Sequence, residues 1–342
     1  LQHTGNTVRP IIRIDENSGI PLYGCIAFGL IDRGTNIIQV RPSSSCLLSC
    51  IFCSTDAGPK SRWRQVEYIV DLDYLISEIR NLVKYKGGKN IEAHIDTVGD
   101  PLTYPHIVEL VQKLSEIKGI KVISMQTHGI LLTEHLIDEL SDSGLSRLNL
   151  SMDALDASLA KKLANSRLYN VNYVKEMAEY AAASSNIDLL IAPVWLSPIN
   201  DSEMPKIISY ALAIGAGKRW PPLGIQKYEV HKYGRKPKGV KRLTWYHFYR
   251  KLKLWEEKFK VKLKLSPEDF NIIKLPKLPI MFKRFEKVKA RTIAPGWLKG
   301  QKLAIAKSRV ITLVNAGEIP LEHKVTVRLL RVKDNIYIGE AV

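Results

Sequence analysis

The stretch Cys46-Leu-Leu-Ser-Cys50-Ile-Phe-Cys53 holds three of the chain's four cysteines. Such crowding, outside a disulfide framework, argues for metal ligation. Iron–sulfur clusters are held by cysteine thiolates, and one loop at this spacing can wrap three corners of a cubane. A fourth iron then stays open to bind and activate a small molecule. Zinc is the competing reading. It needs a fourth ligand, and His94 and His106 lie downstream. Cys25, the remaining cysteine, sits in an apolar run and reads as a buried strand residue.

Outward from this loop the chain alternates. Upstream, 25–31 and 37–40 flank the turn-like 32–36 and read as a hairpin. Downstream, helices are expected at 71–86, 105–117, 133–141, 157–183 and 203–214. Strands are expected at 91–98, 121–125, 147–151, 187–195 and 223–230. Strand–helix alternation implies an α/β fold with a parallel sheet and helices on its outer face. Six strands, counting 37–40, suit an open sheet or a partial barrel. A helix over 243–260 carries an apolar stripe (Trp245, Phe248, Tyr249, Leu252, Trp255) that reads as core, and 267–279 is punctuated by proline. From about residue 290, short strands at 301–306, 310–314, 324–332 and 336–338 read as a small β-barrel or sandwich.

Cys-x3-Cys-x2-Cys with aromatic Phe52 before the last cysteine resembles the signature of the radical SAM superfamily. The resemblance implies a partial (β/α)6 TIM-type barrel over 36–235. It also implies a 4Fe-4S cluster on Cys46, Cys50 and Cys53, whose open iron chelates S-adenosylmethionine (SAM). One electron would cleave SAM, and the resulting 5′-deoxyadenosyl radical would abstract a substrate hydrogen. Phe52 would lie near the adenine. Val98-Gly99-Asp100-Pro101 resembles the family's Gly-Gly-Glu-Pro motif, which meets the SAM amino group; Val98 and the shorter Asp100 depart from it. Thr127-His128-Gly129 resembles a Thr-Asn-Gly turn of the family. Ser151 and Asp153 are similar to positions that bind the SAM ribose or carboxylate, and Ile225 would offer backbone groups to adenine.

Charge divides the chain. Residues 1–217 carry a net −4 and residues 218–342 a net +21, which suggests a polyanion-facing surface. Four segments are expected: a β-hairpin extension (1–35), the barrel (36–235), a basic helical linker (236–289) and a small β-barrel (290–342) that resembles TRAM or OB modules. The resemblance implies RNA binding. Lys227, Tyr228, His231, Tyr233 and Arg235 near the barrel mouth, with Trp297, Lys299, Lys302, Arg328 and Arg331 in the small domain, would contact phosphates and bases. Removal of 290–342 is expected to spare SAM cleavage.

Cysteine count narrows the reaction. The family's methylthiotransferases use three further cysteines ahead of the barrel, where only Cys25 stands, and its two-cysteine RNA methylases use a methyl-carrying cysteine near the C-terminus, where none follows Cys53; neither reaction is expected. The expected activity is radical modification of RNA, foremost tRNA. The alternatives are a protein-modifying methyltransferase with cobalamin as a further cofactor, and a non-catalytic iron–sulfur RNA-binding protein. An electron donor such as ferredoxin or flavodoxin is the expected partner, with no stable protein partner. No apolar run approaches the roughly 20 residues of a membrane helix, and 1–10 lack a secretory layout; the expectation is a cytoplasmic protein.

Overall fold

The computed structural model describes residues 9–342; the expectations for residues 1–8 lie outside the described residues. The first half runs β1 (Ile11–Ile14), β2 (Gly29–Asp32), β3 (Ile37–Arg41), β4 (Glu67–Val70), α1 (Leu72–Tyr85), β5 (Ile91–Ile95), α2 (Ile107–Ser115), β6 (Ile120–Thr127), α3 (Glu134–Asp142) and β7 (Arg147–Leu150). It continues with α4 (Ala157–Ala164), α5 (Val171–Ser184), β8 (Asp188–Ile191), β9 (Val194–Trp195), α6 (Glu203–Ala213), β10 (Gln226–Lys227) and α7 (Trp245–Phe259). Last come β11 (Lys287–Pro295), β12 (Lys302–Ala306), β13 (Arg309–Val314), β14 (Lys324–Arg331) and β15 (Ile338–Ala341).

The main sheet has the order β2-β3-β5-β6-β7-β8. All neighbours are parallel except the β2–β3 hairpin. Beyond β8, a bridge from Ile191 to Leu223 and the β9–β10 pair carry the curve to a sixth parallel position. The result is a partial TIM-type barrel. Side chains alternate along its strands. Ile91, Ala93 and Ile95 on β5 and Leu148 and Leu150 on β7 are buried in the hydrophobic core. Their neighbours Glu92, His94, Arg147 and Asn149 face the lumen. Asp71 and Thr133 cap α1 and α3 through their side chains, as helix starts require.

The expected helix over 157–183 is two helices. Asn165 is left-handed (φ 47°) and ends α4, and the Asn170 side chain caps α5. The break has a use. The final carbonyls of α4, Leu163 and Ala164, accept from the amides of Ile51 and Ser49 at 2.9 and 3.1 Å, docking the cysteine loop on the helix end. The strand expected at 187–195 is also broken, at Pro193, which offers no N–H to a ladder. Of the strand expected over 223–230 only Gln226–Lys227 pairs as β10. On α7, Phe248, Leu252 and Trp255 are buried, but Trp245 and Tyr249 are 53% and 39% exposed, so the stripe is only partly core.

The C-terminal strands close into a five-stranded barrel, β11-β12-β13-β15-β14, with β13 and β15 parallel. Its first strand, β11, was not among the expected strands, and β15 shares only Ile338 with the expected 336–338. Strand number and closure are those of the OB architecture. Val327, Leu329, Ile311, Leu313 and Tyr337 fill its interior. The small barrel is packed into the main one rather than hung beside it. Trp297, Leu298, Leu303 and Val310 belong to the main hydrophobic core. Gln65 Nε2 donates to the carbonyls of Gly296 and Gln301, and the Tyr68 hydroxyl donates to Pro295.

The proline-punctuated segment closes the opposite end of the main barrel. Asn36 pins it through the Asn271 carbonyl and the Ile273 amide. Asp32 accepts from the Leu278 amide and from the fully buried Lys86 ammonium.

Candidate cluster and cofactor site

Cys46, Cys50 and Cys53 line one cavity of about 350 Å³ at the C-terminal ends of the barrel strands. Two arginines, Arg64 buried and Arg235 partly so, hold the loop that carries them. The Arg64 guanidinium donates to the carbonyls of Ser44, Thr55 and Val98 and pairs with Glu67 at 3.1 Å. Arg235 donates to the carbonyls of Cys50 and Ala57 and pairs with Asp56 at 2.9 Å. Its own amide donates to the Cys53 carbonyl at 2.9 Å. Gly99 closes the fit, since a Cβ there would stand 1.9 Å from the Ser45 carbonyl oxygen. Asp100 N donates to that same oxygen at 2.8 Å. Neither arginine clamp was foreseen, though each lies in a segment rich in polar residues.

The donor set fits an iron–sulfur cluster. Backbone amides point at sulfur: Leu48 N to Cys46 at 3.4 Å and Ala57 N to Cys53 at 3.2 Å. The Thr55 hydroxyl lies 3.3 Å from Cys53 Sγ, and His128 Nε2 lies 3.8 Å from Cys50 Sγ. Burial pushes the Cys46 thiol up to about 12, with Asp100 adding to the effect. Burial and the Cys46 charge hold Cys50 well above its usual range. Bound iron is the positive charge that offsets both costs. Zinc fits less well. Among the described residues no group of three or more His, Cys, Asp and Glu could hold one metal ion. His94 is engaged with Ser124 on the lumen wall, and His106 pairs with Glu109 on the surface.

Phe52 and Gly99 line the cavity with the cysteines. Asp100, Pro101, Thr127, Ser151, Asp153 and Ile225 do not. Both Asp100 oxygens are occupied, by the Thr127 hydroxyl at 2.8 and 3.0 Å, the His128 amide at 3.0 Å and the Leu102 amide at 3.1 Å. Asp100 thus ties the ends of β5 and β6 together. Asp153 accepts from the Val194 amide at 2.8 Å, where the strand breaks; burial raises its pKa, with nearby His128 acting against that. Ser151 accepts from Gln126 at 2.8 Å. Pro101 opens a short 3-10 turn, and Ile225 is buried.

The expected RNA contacts divide. Lys227, Tyr228 and His231 line the cysteine cavity. The Lys227 side chain is 2% exposed, pairs with Glu229 and lies 4.7 Å over Trp245, so it is not available to phosphate. Tyr228 is buried and donates to the Arg235 carbonyl. Arg235 is the loop clamp described above. Trp297 is buried beneath Arg64, 4.6 Å from the ring centroid, and offers no stacking face to solvent. Lys299 and Arg331 are exposed and Lys302 is half-buried. Arg328 is paired with Glu340. Tyr233 lines an open basic groove outside the loop.

The family model of the Radical SAM superfamily matches residues 40–211, half of the chain. An uncharacterized protein of Methanocaldococcus jannaschii is 44% identical, over 98% of this chain and 82% of its own length. The GTP 3',8-cyclase of Chlorobaculum tepidum is 26% identical over 59% of this chain and 57% of the cyclase; the chain spans about half the length of the curated cyclases it matches. Among solved structures, Streptococcus suis SuiB bound to S-adenosylmethionine superposes with a TM-score of 0.50 at 17% identity, covering 67% of this chain and 49% of SuiB, a likeness of fold. With the cysteine loop at the mouth of a partial barrel, these matches establish that the chain belongs to the radical SAM superfamily.

Proposed function

We propose that this radical SAM enzyme modifies RNA, with tRNA the first candidate. The reading is carried by the groove on the outer side of the cysteine loop. It encloses about 600 Å³ between Lys60, Arg62 and Trp63 on one wall and Lys232, Lys236 and Lys238 on the other. Trp63 is 45% exposed and meets Tyr233 edge-on at 5.6 Å. Cations along a groove with an aromatic step between them are the chemistry of single-stranded nucleic acid binding. Exposed Lys299 and Arg331 extend the positive surface onto the small barrel.

Cys46, Cys50 and Cys53 would hold a 4Fe-4S cluster, which would supply the electron for SAM cleavage. Phe52 and Gly99 shape the space beside the thiolates. Arg64 and Arg235 fix the loop backbone, so the three sulfurs keep their places. Tyr228 and the Lys227–Glu229 pair form part of the cavity wall.

The test is binding by the cluster-loaded full chain, with tRNA compared against polyglutamate at matched charge. Affinity for tRNA should be higher and should fall steeply between about 50 and 200 mM salt. Equal affinity for both polymers overturns the RNA reading and favours modification of a protein side chain.

A further inference from the structure

One face of α7 is anchored and another is bare. Phe248 and Trp255 pack against Trp195 of β9, with ring centroids at 5.8 and 5.0 Å, which fixes the helix to the main barrel. Tyr246, Tyr249, Arg250 and Lys253 follow the i, i+3, i+4, i+7 spacing of a single helix face, and all four are exposed. Tyr246 is 69% exposed. Its one ring contact among the described residues is His247, edge-on at 5.5 Å, so a face of the Tyr246 ring stays open.

Positive charge gathers on the same segment. Residues 241–264 carry nine Lys and Arg against two Glu. Among the described residues only two of the nine meet an acid: Arg242 pairs with Glu229 at 3.0 Å and Lys262 with Asp269 at 2.6 Å. Arg250 and Lys253 are thus uncompensated cations on the face that carries the open ring. The helix also starts at the wall of the cysteine cavity. Lys227 and Glu229 line that cavity. The Lys227 ammonium lies 4.7 Å over Trp245 in the first turn of α7, and Glu229 holds Arg242 just before it. Along the same segment His231 lines the cavity and Lys232 the basic groove. The groove and α7 therefore both adjoin the cavity, through residues 227–232.

We infer that this face of α7 is a second RNA contact: a base stacks on Tyr246, and neighbouring phosphates lie on Arg250 and Lys253. Every base has a π-face, and each cation that neutralises a phosphate releases counterions. An acidic peptide would meet the cations equally well, but the face of an aromatic ring is its negative pole and disfavours a carboxylate. The inference rests on the RNA reading above and extends it. Because both surfaces adjoin the cavity, RNA held in the groove and on α7 brings the nucleotides between the two contacts to the cysteine site.

The test is tRNA binding by the cluster-loaded full chain at several salt concentrations. Tyr246→Ala should weaken binding about fivefold or more at every salt concentration, and Tyr246→Phe, which keeps the ring, should restore it. Arg250→Gln and Lys253→Gln should each lower the slope of log affinity against log salt by about 0.7–0.9. All three side chains are on the surface, so iron content and melting temperature should match the parent. The parent protein gives a reading that needs no substitution: tRNA should protect the Lys253 amine from acetylation, and polyglutamate should not. Parent-like affinity and slope in every folded variant, or an unprotected Lys253, overturns the α7 contact; tRNA binding that still weakens in Lys236→Gln then leaves the RNA reading standing. Equal protection of Lys253 by polyglutamate assigns the face to an acidic peptide and also overturns the inference. Failure of the parent protein to prefer tRNA over polyglutamate overturns both.

Discussion

Arg235 Nη1 donates to the carbonyl of Cys50 at 3.1 Å, so a side chain from a lysine-rich loop is turned inward onto the backbone of the cysteine loop. Its Nε faces Asp56 at 2.9 Å, and Asp56 in turn accepts from the amides of Arg62 and Trp63 at 2.7 and 3.0 Å. One guanidinium thus links the cysteine loop to both walls of the basic groove. The basic groove and the position of the cysteines meet at this residue.

Arg235→Ala should therefore damage the cluster before it damages the barrel. It removes charge-assisted bonds worth about 1.5–3 kcal/mol each, all of them to one loop. The variant should hold less iron per chain after anaerobic reconstitution, with far-UV circular dichroism unchanged. Arg235→Lys, a point charge without the planar fork, should recover only part of the iron. Full iron content in the alanine variant would remove the clamp from the account.

Gly99→Ala tests the contact between β5 and the cysteine loop. The added methyl would stand 1.9 Å from the Ser45 carbonyl oxygen and 2.5 Å from that of Ser44. Backbone on both sides cannot yield without moving Cys46. Overpacking of this kind costs about 1–3 kcal/mol or more. Lower melting temperature and lower iron content should appear together; a variant with parent-like values for both would show that the loop can shift freely.

The cysteine loop was legible because its chemistry is written in residue type and spacing. The lumen network was legible in principle and was missed. Strands of parallel sheets usually read as continuous apolar runs. Here Ile91-Glu92-Ala93-His94-Ile95 and Arg147-Leu148-Asn149-Leu150 alternate instead, and the polar member of each pair faces inward. That alternation is itself the signal for a polar lumen. The basic residues were misread for a different reason. Charge along a sequence does not say which way a loop turns, so of the residues counted as phosphate contacts Lys227 proved to be internal and Arg235 is spent on the cysteine loop. The break between α4 and α5 had its own mark in Asn165 and Asn170, which the surrounding apolar periodicity hid.

His94 gives a pH prediction. Desolvation lowers its pKa; Asp96 and Glu92 oppose that, while Arg147 and Arg41 reinforce it. The unfolded imidazole titrates near about 6.5. A folded pKa below that value means the unfolded chain binds the proton more readily. The stability from neutral His94 is thus present above about pH 6.5 and is lost as pH falls toward the folded pKa. Denaturant midpoints should fall through this window more steeply for the parent than for His94→Gln, and the native His94 resonance should titrate below 6.5. Parallel pH profiles for parent and variant would count against a desolvated neutral ring.

The basic groove can be dissected by separating charge from stacking. Lys236 and Lys238 stand on one wall, and exposed Trp63 on the other. If the lysines neutralise phosphates, Lys236→Gln and Lys238→Gln should each reduce the slope of log affinity against log salt by about 0.7–0.9, because each removes one counterion-releasing contact. If Trp63 stacks on a base, Trp63→Ala should cost about 1–3 kcal/mol of affinity at every salt concentration and leave the slope alone. The two signatures are orthogonal, so a general loss of structure cannot imitate both. Titration of tRNA at several salt concentrations reads them in one experiment. A Trp63 variant with altered slope, or lysine variants with unaltered slope, would show that RNA does not follow this groove.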